Sequence, residues 1–206
     1  MSSNALLLVM MEPPAALEDE FNDWYDTEHF PQRKSMPGFM SASRWACVDG
    51  WPRWVALYDL ESADALQTAD YLAASGAHST PWSKRMLART CGRRRVIATA
   101  LPASEIESEI ESNGATVSRL LVACYPGVSH ADSPDSLLAL ARERLSARAD
   151  VIHIRGFVEN QGGRDDLWLL VTFKGPLGAA VLHEPIGMLK EHGAEVFNLY
   201  APYARG

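Results

Sequence analysis

The sequence predicts an α+β fold of two tandem ferredoxin-like repeats, each running β-α-β-β-α-β. Three observations predict it. The chain has 206 residues, 47% of them hydrophobic and 22% charged, which suits one large globular domain or two small ones. Over the first hundred residues, strand-like and helix-like segments alternate in that order. After a polar break the same order returns with little residue identity.

The first repeat spans residues 1–101. ALLLVMM, from Ala5 to Met11, is a short apolar run that suits a buried strand. Pro13 and Pro14 fit a loop entering a helix. From Leu17 to His29 the period changes: Leu17, Phe21, Trp24, Tyr25 and Glu28 share one helical face, and acids cluster near the start, where the helix dipole favours them. Phe30-Pro31 is expected to stop this helix. FMSASRWACV (from Phe39) and WVALYDL (from Trp54) read as antiparallel strands joined by the turn residues Asp49-Gly50-Trp51-Pro52. Ser62 to Ser75 reads as a second helix with Ser62 as its cap and Gly76 as its stop. Lys84 to Ala88 adds a helical turn, and Arg95 to Leu101 is the fourth strand.

Residues 102–117 contain the acidic, polar SEIESEIES and read as a linker. The second repeat, 118–206, begins with the strand SRLLVACY. Ser133 and Pro134 then open a helix striped by Leu137, Leu138, Ala141 and Leu145. VIHIRGFVE and LWLLVTFK are strands around the turn-rich NQGGRDD. A weaker helix from Leu177 to Glu191 is interrupted by Pro185, and AEVFNLY is the last strand.

Charge and composition exclude several classes. A net charge of −7 repels phosphate backbones, so nucleic acid is not an expected partner, and the run Arg93-Arg94-Arg95 is too short to reverse that. No apolar run approaches the roughly 20 residues of a membrane span, and the start has no basic n-region or cleavage site. Cys47, Cys91 and Cys124 are widely spaced without CxxC; they fit a cytoplasmic protein and small buried side chains rather than disulfides or zinc ligands. There is no P-loop, GxGxxG, GxSxG or HExxH.

The stretch FNDWYDTEHFPQRKSMPGF, with SASRWACVDGWPRWVALYDLESADAL and later STPWSKRM, resembles the dimeric α+β barrel superfamily, and within it the EthD-like branch. The matching positions are Trp24, Tyr25, Asp26, Glu28, His29, Pro31, Pro37, Gly38 and the strand from Trp54 to Leu60. The resemblance covers the first hundred residues; the second half matches only in element order. It implies an intramolecular dimeric-type barrel with a pocket between the helices and the sheet of the first repeat. Relatives include isomerase-like proteins, polyketide cyclases, cofactor-free quinone-forming monooxygenases and haem-binding enzymes.

The candidate catalytic residues are His29, Tyr25, Asp26 and Glu28. His29 at a helix C-terminus is expected to have a raised pKa and to serve as general acid or base; the alternative is a histidine that only bonds the last carbonyls or Asp26. Glu28 continues the apolar stripe, and a carboxylate in an apolar cleft suits acid/base work; the alternative is a surface acid paired with Arg33 or Lys34. Candidate substrate-binding residues are Trp24, Arg44, Tyr58, His78, Trp82 and Met86. Trp24 and Tyr58 have core roles as alternatives. Arg44 suits a substrate carboxylate or an acid of the other repeat across the barrel, and Trp82 and Met86 suit a lid. His153 with Arg155, and His183 with Glu184, belong to solvent or interfaces.

These features lead to a cofactor-independent lyase, isomerase or cyclase acting on a small apolar or aromatic compound, in a cytoplasmic homodimer without metal. The alternatives are an oxygenase, haem-dependent on His29, His78 or His183 or else cofactor-free, and a non-catalytic ligand-binding or stress-response protein.

Overall fold

The first strand, β1 (Ala5–Glu12), is buried on both faces, which is why its sequence is a continuous apolar run instead of an alternating one. It belongs to a computed structural model that describes residues 5–102, 117–128, 133–145, 147–175 and 186–204. The fold is α+β, with eight strands and six short α-helices among the described residues. These residues fall into two compact units. The first takes in those of Met1–Arg44, Trp51–Ile97 and Tyr203–Gly206, the second those of Trp45–Gly50 and Ala98–Pro202.

In the first unit β1 pairs antiparallel with β3 (Trp54–Leu60), Leu7 opposite Tyr58, Val9 opposite Ala56 and Met11 opposite Trp54. These six side chains therefore share one face of the sheet. β3 in turn neighbours β2 (Phe39–Asp49), whose residues to Arg44 belong to this unit. The residues of β4 (Cys91–Ala100) up to Ile97 also lie in it. The link from β2 to β3 contains a cis Trp51-Pro52 bond.

The first helix departs from the expected stop. α1 (Glu18–Trp24) does not end at Phe30-Pro31; it passes through a π-turn (Tyr25–His29) into α2 (Phe30–Lys34). Pro31 would press its ring on the carbonyl four residues back in a regular α-helix. The π-turn opens the spiral just before it, and the Phe30 N–H reaches back five residues to the Tyr25 carbonyl.

The expected second helix is divided as well. A 3₁₀ segment (Ala63–Gln67) precedes α3 (Ala69–Ala73), because Thr68 restarts the helix by accepting the Tyr71 N–H on its hydroxyl at 3.3 Å. α4 (Pro81–Leu87) begins three residues earlier than the composition suggests, capped by Thr80, which accepts from the Ser83 N–H at 3.0 Å.

In the second unit the strands neighbour one another in the order β8-β5-β7-β6, with β5 (Val117–Tyr125), β6 (Val151–Gln161), β7 (Arg164–Lys174) and β8 (Val196–Tyr203). Thr99 and Ala100 at the end of β4 pair with β6. β6 and β7 run longer than expected and meet at Gly162-Gly163, both with positive φ, as a tight hairpin turn requires. α5 (Pro134–Leu145) starts where Ser133 accepts from the Ser136 N–H, and it buries the predicted stripe Leu137, Leu138, Ala141 and Leu145. These pack with Leu121, Ile154, Leu169 and Phe173 into a closed apolar core. α6 (Ile186–Lys190) is the described part of the weak last helix. Most of the acidic linker, His183, Glu184 and Pro185 lie outside the described residues.

Candidate functional site

The first unit contains a cavity of about 820 Å³. Its apolar floor is Leu7, Val9 and Met11 of β1, and Tyr58 of β3 rises from the same sheet face. His29 from the end of the π-turn and Arg33 from α2 reach it from one side, Tyr71 of α3 and Leu87 of α4 from others, and Arg93, Arg94 and Arg95 of β4 complete it.

His29 is held by aromatic neighbours. Its ring lies 4.6 Å from the Trp24 ring and 5.1 Å, edge-on, from the Tyr25 ring. Its Nδ1 is buried with no hydrogen-bond partner. The expectation of a raised pKa is corrected here: burial, then the positive charges of Arg33 and Arg44, pull it down to about 3. The helix dipole is weaker than desolvation at this site. His29 is a neutral imidazole at pH 7, and its partial exposure is to the cavity it lines.

Tyr58 is almost fully buried, and its hydroxyl has no hydrogen bond of acceptable geometry. Desolvation first, and the neighbouring Tyr25 phenol second, push its pKa well above the ordinary phenol value. The two phenols are thus coupled electrostatically without a well-formed bond between them. Tyr25 is also raised by burial, against the opposing pull of Arg44. Both hydroxyls keep their protons at neutral pH and remain donors.

Arg33 is the buried cation of the site, 6% exposed. Its guanidinium donates to the Ala74 carbonyl at 2.8 Å and to the Met36 sulfur at 3.6 Å, and lies 4.9 Å from the centre of the Tyr71 ring. Burial opposes its charge while Tyr71, Tyr58 and Tyr25 support it.

The other nominated residues are placed elsewhere. Asp26 pairs with Arg44 and accepts from the Tyr203 hydroxyl at 3.2 Å. Arg44 does not line this cavity, and its carboxylate partner among the described residues is Asp26. It donates to Asn22 at 2.8 Å and sits among the rings of Tyr25, Tyr203, Trp54 and Phe21 at 4.1 to 5.8 Å. Glu28 turns toward α4, accepting from Thr80 Oγ1 at 2.6 Å and Ser83 Oγ at 3.2 Å. Trp24 joins the same cluster, its indole donating to Ser83 Oγ at 3.1 Å. Trp82 donates to Glu20, Met86 is buried in the core, and His78 is exposed away from the cavity lining. Of the ten nominated side chains, the structure brings His29 and Tyr58 to the cavity wall, with Tyr25 packed behind them.

Sequence reasoning missed Arg33, Tyr71, Lys84 and Arg93–Arg95 as lining. Two signals pointed to them. Arg33 follows His29 by four residues, a helical neighbour. Three consecutive arginines stand out in a chain of net charge −7.

The sequence leaves haem open as an alternative cofactor. His29 is the described histidine on the cavity wall. Iron bound at Nε2 would place a proton on Nδ1, which is buried and without the acceptor that a metal-ligating histidine normally has. The described residues therefore supply no acceptor to support His29 as an Nε2 ligand of haem iron.

No family model matches the chain, and no curated protein matches it. Solved structures do. An anthrone oxidase-like protein is 11% identical with a TM-score of 0.70, covering 98% of this chain and 92% of that one. A heme-binding protein from Thermus thermophilus is 12% identical with a TM-score of 0.56, covering 99% and 92%. A chlorite dismutase-like protein is 9% identical with a TM-score of 0.60, covering 99% and 96%. Identities this low show a likeness of fold and leave the chemistry to the site.

Proposed function

We propose that the protein is a cofactor-independent enzyme doing acid/base chemistry on a small, largely apolar aromatic compound held in the cavity of the first unit. The observation that supports this is the meeting of neutral His29, the unpartnered Tyr58 hydroxyl and the buried Arg33 cation on one apolar-floored cavity. Tyr58 donates to a substrate oxygen. His29 takes the proton of an acidic C–H or O–H. The product of that transfer is a substrate anion beside an imidazolium, and Arg33 stabilises the anion.

The low pKa of His29 is consistent with this order of events. In the empty site burial first, and then Arg33 and Arg44, disfavour an imidazolium. A neighbouring substrate anion offsets the part of that penalty that comes from the two arginines, which favours the imidazolium as the anion forms. Rearrangement, elimination or ring closure of the anion gives the lyase, isomerase or cyclase outcome. Attack by dioxygen on the same anion gives a cofactor-free oxygenase, the reading favoured by the likeness to a protein described as anthrone oxidase-like. We also read the chain as two tandem ferredoxin-like repeats of the EthD-like branch, forming a cytoplasmic homodimer.

The test is turnover of anthrone and of aromatic hydroxy acids, with oxygen uptake followed in parallel. Product should appear above the spontaneous rate and fall by roughly a hundredfold in His29→Gln, the usual loss for a general base. Uptake of oxygen separates oxygenation from rearrangement. Wild-type turnover in His29→Gln would refute the role of His29 as base, and ligand binding with no product from any compound would refute the enzyme reading.

A further inference from the structure

We propose that this cavity selects ligands that carry a carboxylate on an apolar ring body, with Lys84, Arg93 and Arg95 at its mouth and Arg33 inside as the anion-binding groups. The inference deepens the preceding reading by naming a substrate class, and it rests on that reading for the site but not for turnover.

The cavity lining contains five cationic side chains, Arg33, Lys84, Arg93, Arg94 and Arg95, and no aspartate or glutamate. The chain as a whole is acidic, with 26 acids against 19 bases, so this is a local field set against the global one. Several arginines outside the cavity are held by acids. Arg44, Arg53, Arg85, Arg148 and Arg164 each pair with a carboxylate. Among the described residues Arg33, Lys84, Arg93 and Arg95 pair with none. Neutral groups position the three arginines. Arg95 donates to the Tyr71 hydroxyl at 3.1 Å, Arg93 to the Leu87 carbonyl at 3.4 Å, and Arg33 to the Ala74 carbonyl. Tyr71 connects the inner and outer cations, with Arg33 over its ring and Arg95 on its hydroxyl.

Holding several cations together without counter-charge costs repulsion, which a bound anion removes. Guanidinium groups fixed by neutral acceptors keep further N–H donors for a carboxylate. The floor of Leu7, Val9 and Met11 fits the apolar body of such a ligand, and its length sets the acid toward β4 and α4.

The experiment is calorimetric titration of the full chain with naphthoate and with its neutral isostere naphthamide. Naphthoate should bind about tenfold or more tightly than the amide, a difference of about 1.4 kcal/mol. The preference should shrink when salt is raised from about 0.05 M to about 0.5 M, because the outer cations are exposed. The double variant Arg93→Met/Arg95→Met should abolish most of it, while Arg85→Met, a paired surface arginine, should leave it intact. Both variants alter exposed side chains, and unchanged melting temperatures verify their fold. Equal binding of acid and amide, an undiminished preference in the double variant, or no binding of naphthoate at about millimolar concentration overturns the proposal. Selective binding without turnover of any compound leaves this inference standing and removes the enzymatic one; turnover of neutral compounds with no acid preference does the reverse.

Discussion

Glu28 accepts a hydrogen bond from Thr80 at 2.6 Å and so fastens the π-turn to the start of α4. Ser83 adds a second bond to the same carboxylate oxygen and receives the Trp24 indole N–H. The acid that looked catalytic in sequence is a clasp between two helices. Glu28→Ala should lower stability by about 1.5–3 kcal/mol, the range for hydrogen bonds to charged groups, in urea denaturation. Any ligand affinity should survive under conditions where the variant is folded. A variant with native stability but lost affinity would return Glu28 to the site.

Arg44 carries the opposite lesson, a charge that serves the core. Its side chain is 4% exposed, paired with Asp26 and surrounded by four rings. Arg44→Met leaves Asp26 without its cation, and its loss should cost about 3 kcal/mol. Arg44→Lys should recover little of this, since an ammonium has neither the fork for Asp26 and Asn22 nor the flat face for Tyr25. Equal stabilities of the Lys variant and the wild type in chemical denaturation would refute the cage.

The depressed pKa of His29 links stability to pH. Above about 6.5, its ordinary value, folded and unfolded chains both carry it neutral, and the native state has its full margin. As pH falls from 6.5 toward 3 the unfolded chain takes up a proton that the folded one does not, so stability is lost across that window. His29→Phe should therefore lose less stability than wild type between pH 6.5 and 4. In NMR the His29 ring should show no titration between pH 8 and 5. A midpoint near 6.5 would contradict the burial described above.

Gly92 has φ +57°, and a Cβ there would collide with the Trp51 ring. Gly92→Ala should cost about 1–2 kcal/mol through the left-handed backbone alone. Trp51 is 58% exposed, so its ring can move aside only by giving up its present contacts, and its fluorescence should change when it does. No change in either stability or emission would show that the strand has another conformation.

Much of the fold was legible in the sequence. The order of strands and helices followed from period changes. The apolar stripe of α5 and its Ser133 cap were readable because local pattern and packing agree there. The site was less legible. Glu28 continues the stripe of Phe21 and Trp24 on a uniform helix, so a uniform helix was the wrong template. Arg93–Arg95 looked like a surface run, because linear sequence does not show that β4 borders a cavity whose floor comes from β1. The sign of the His29 shift turned on desolvation, which depends on tertiary burial rather than on its place at a helix end.

The π-turn also works as an angular offset. Each residue of an α-helix advances about 100°, and a turn that spends an extra residue delays everything after it by most of one such step. On a uniform spiral Glu28 would occupy the middle of the inward sector, with His29 at its edge and Arg33 beyond it. The delay rotates Glu28 sideways to Thr80 and swings His29 and Arg33 inward in its place. One added residue thus exchanges an anion for an imidazole and a guanidinium on the inner wall, and a shortened version of this helix would present the reverse charge to whatever enters.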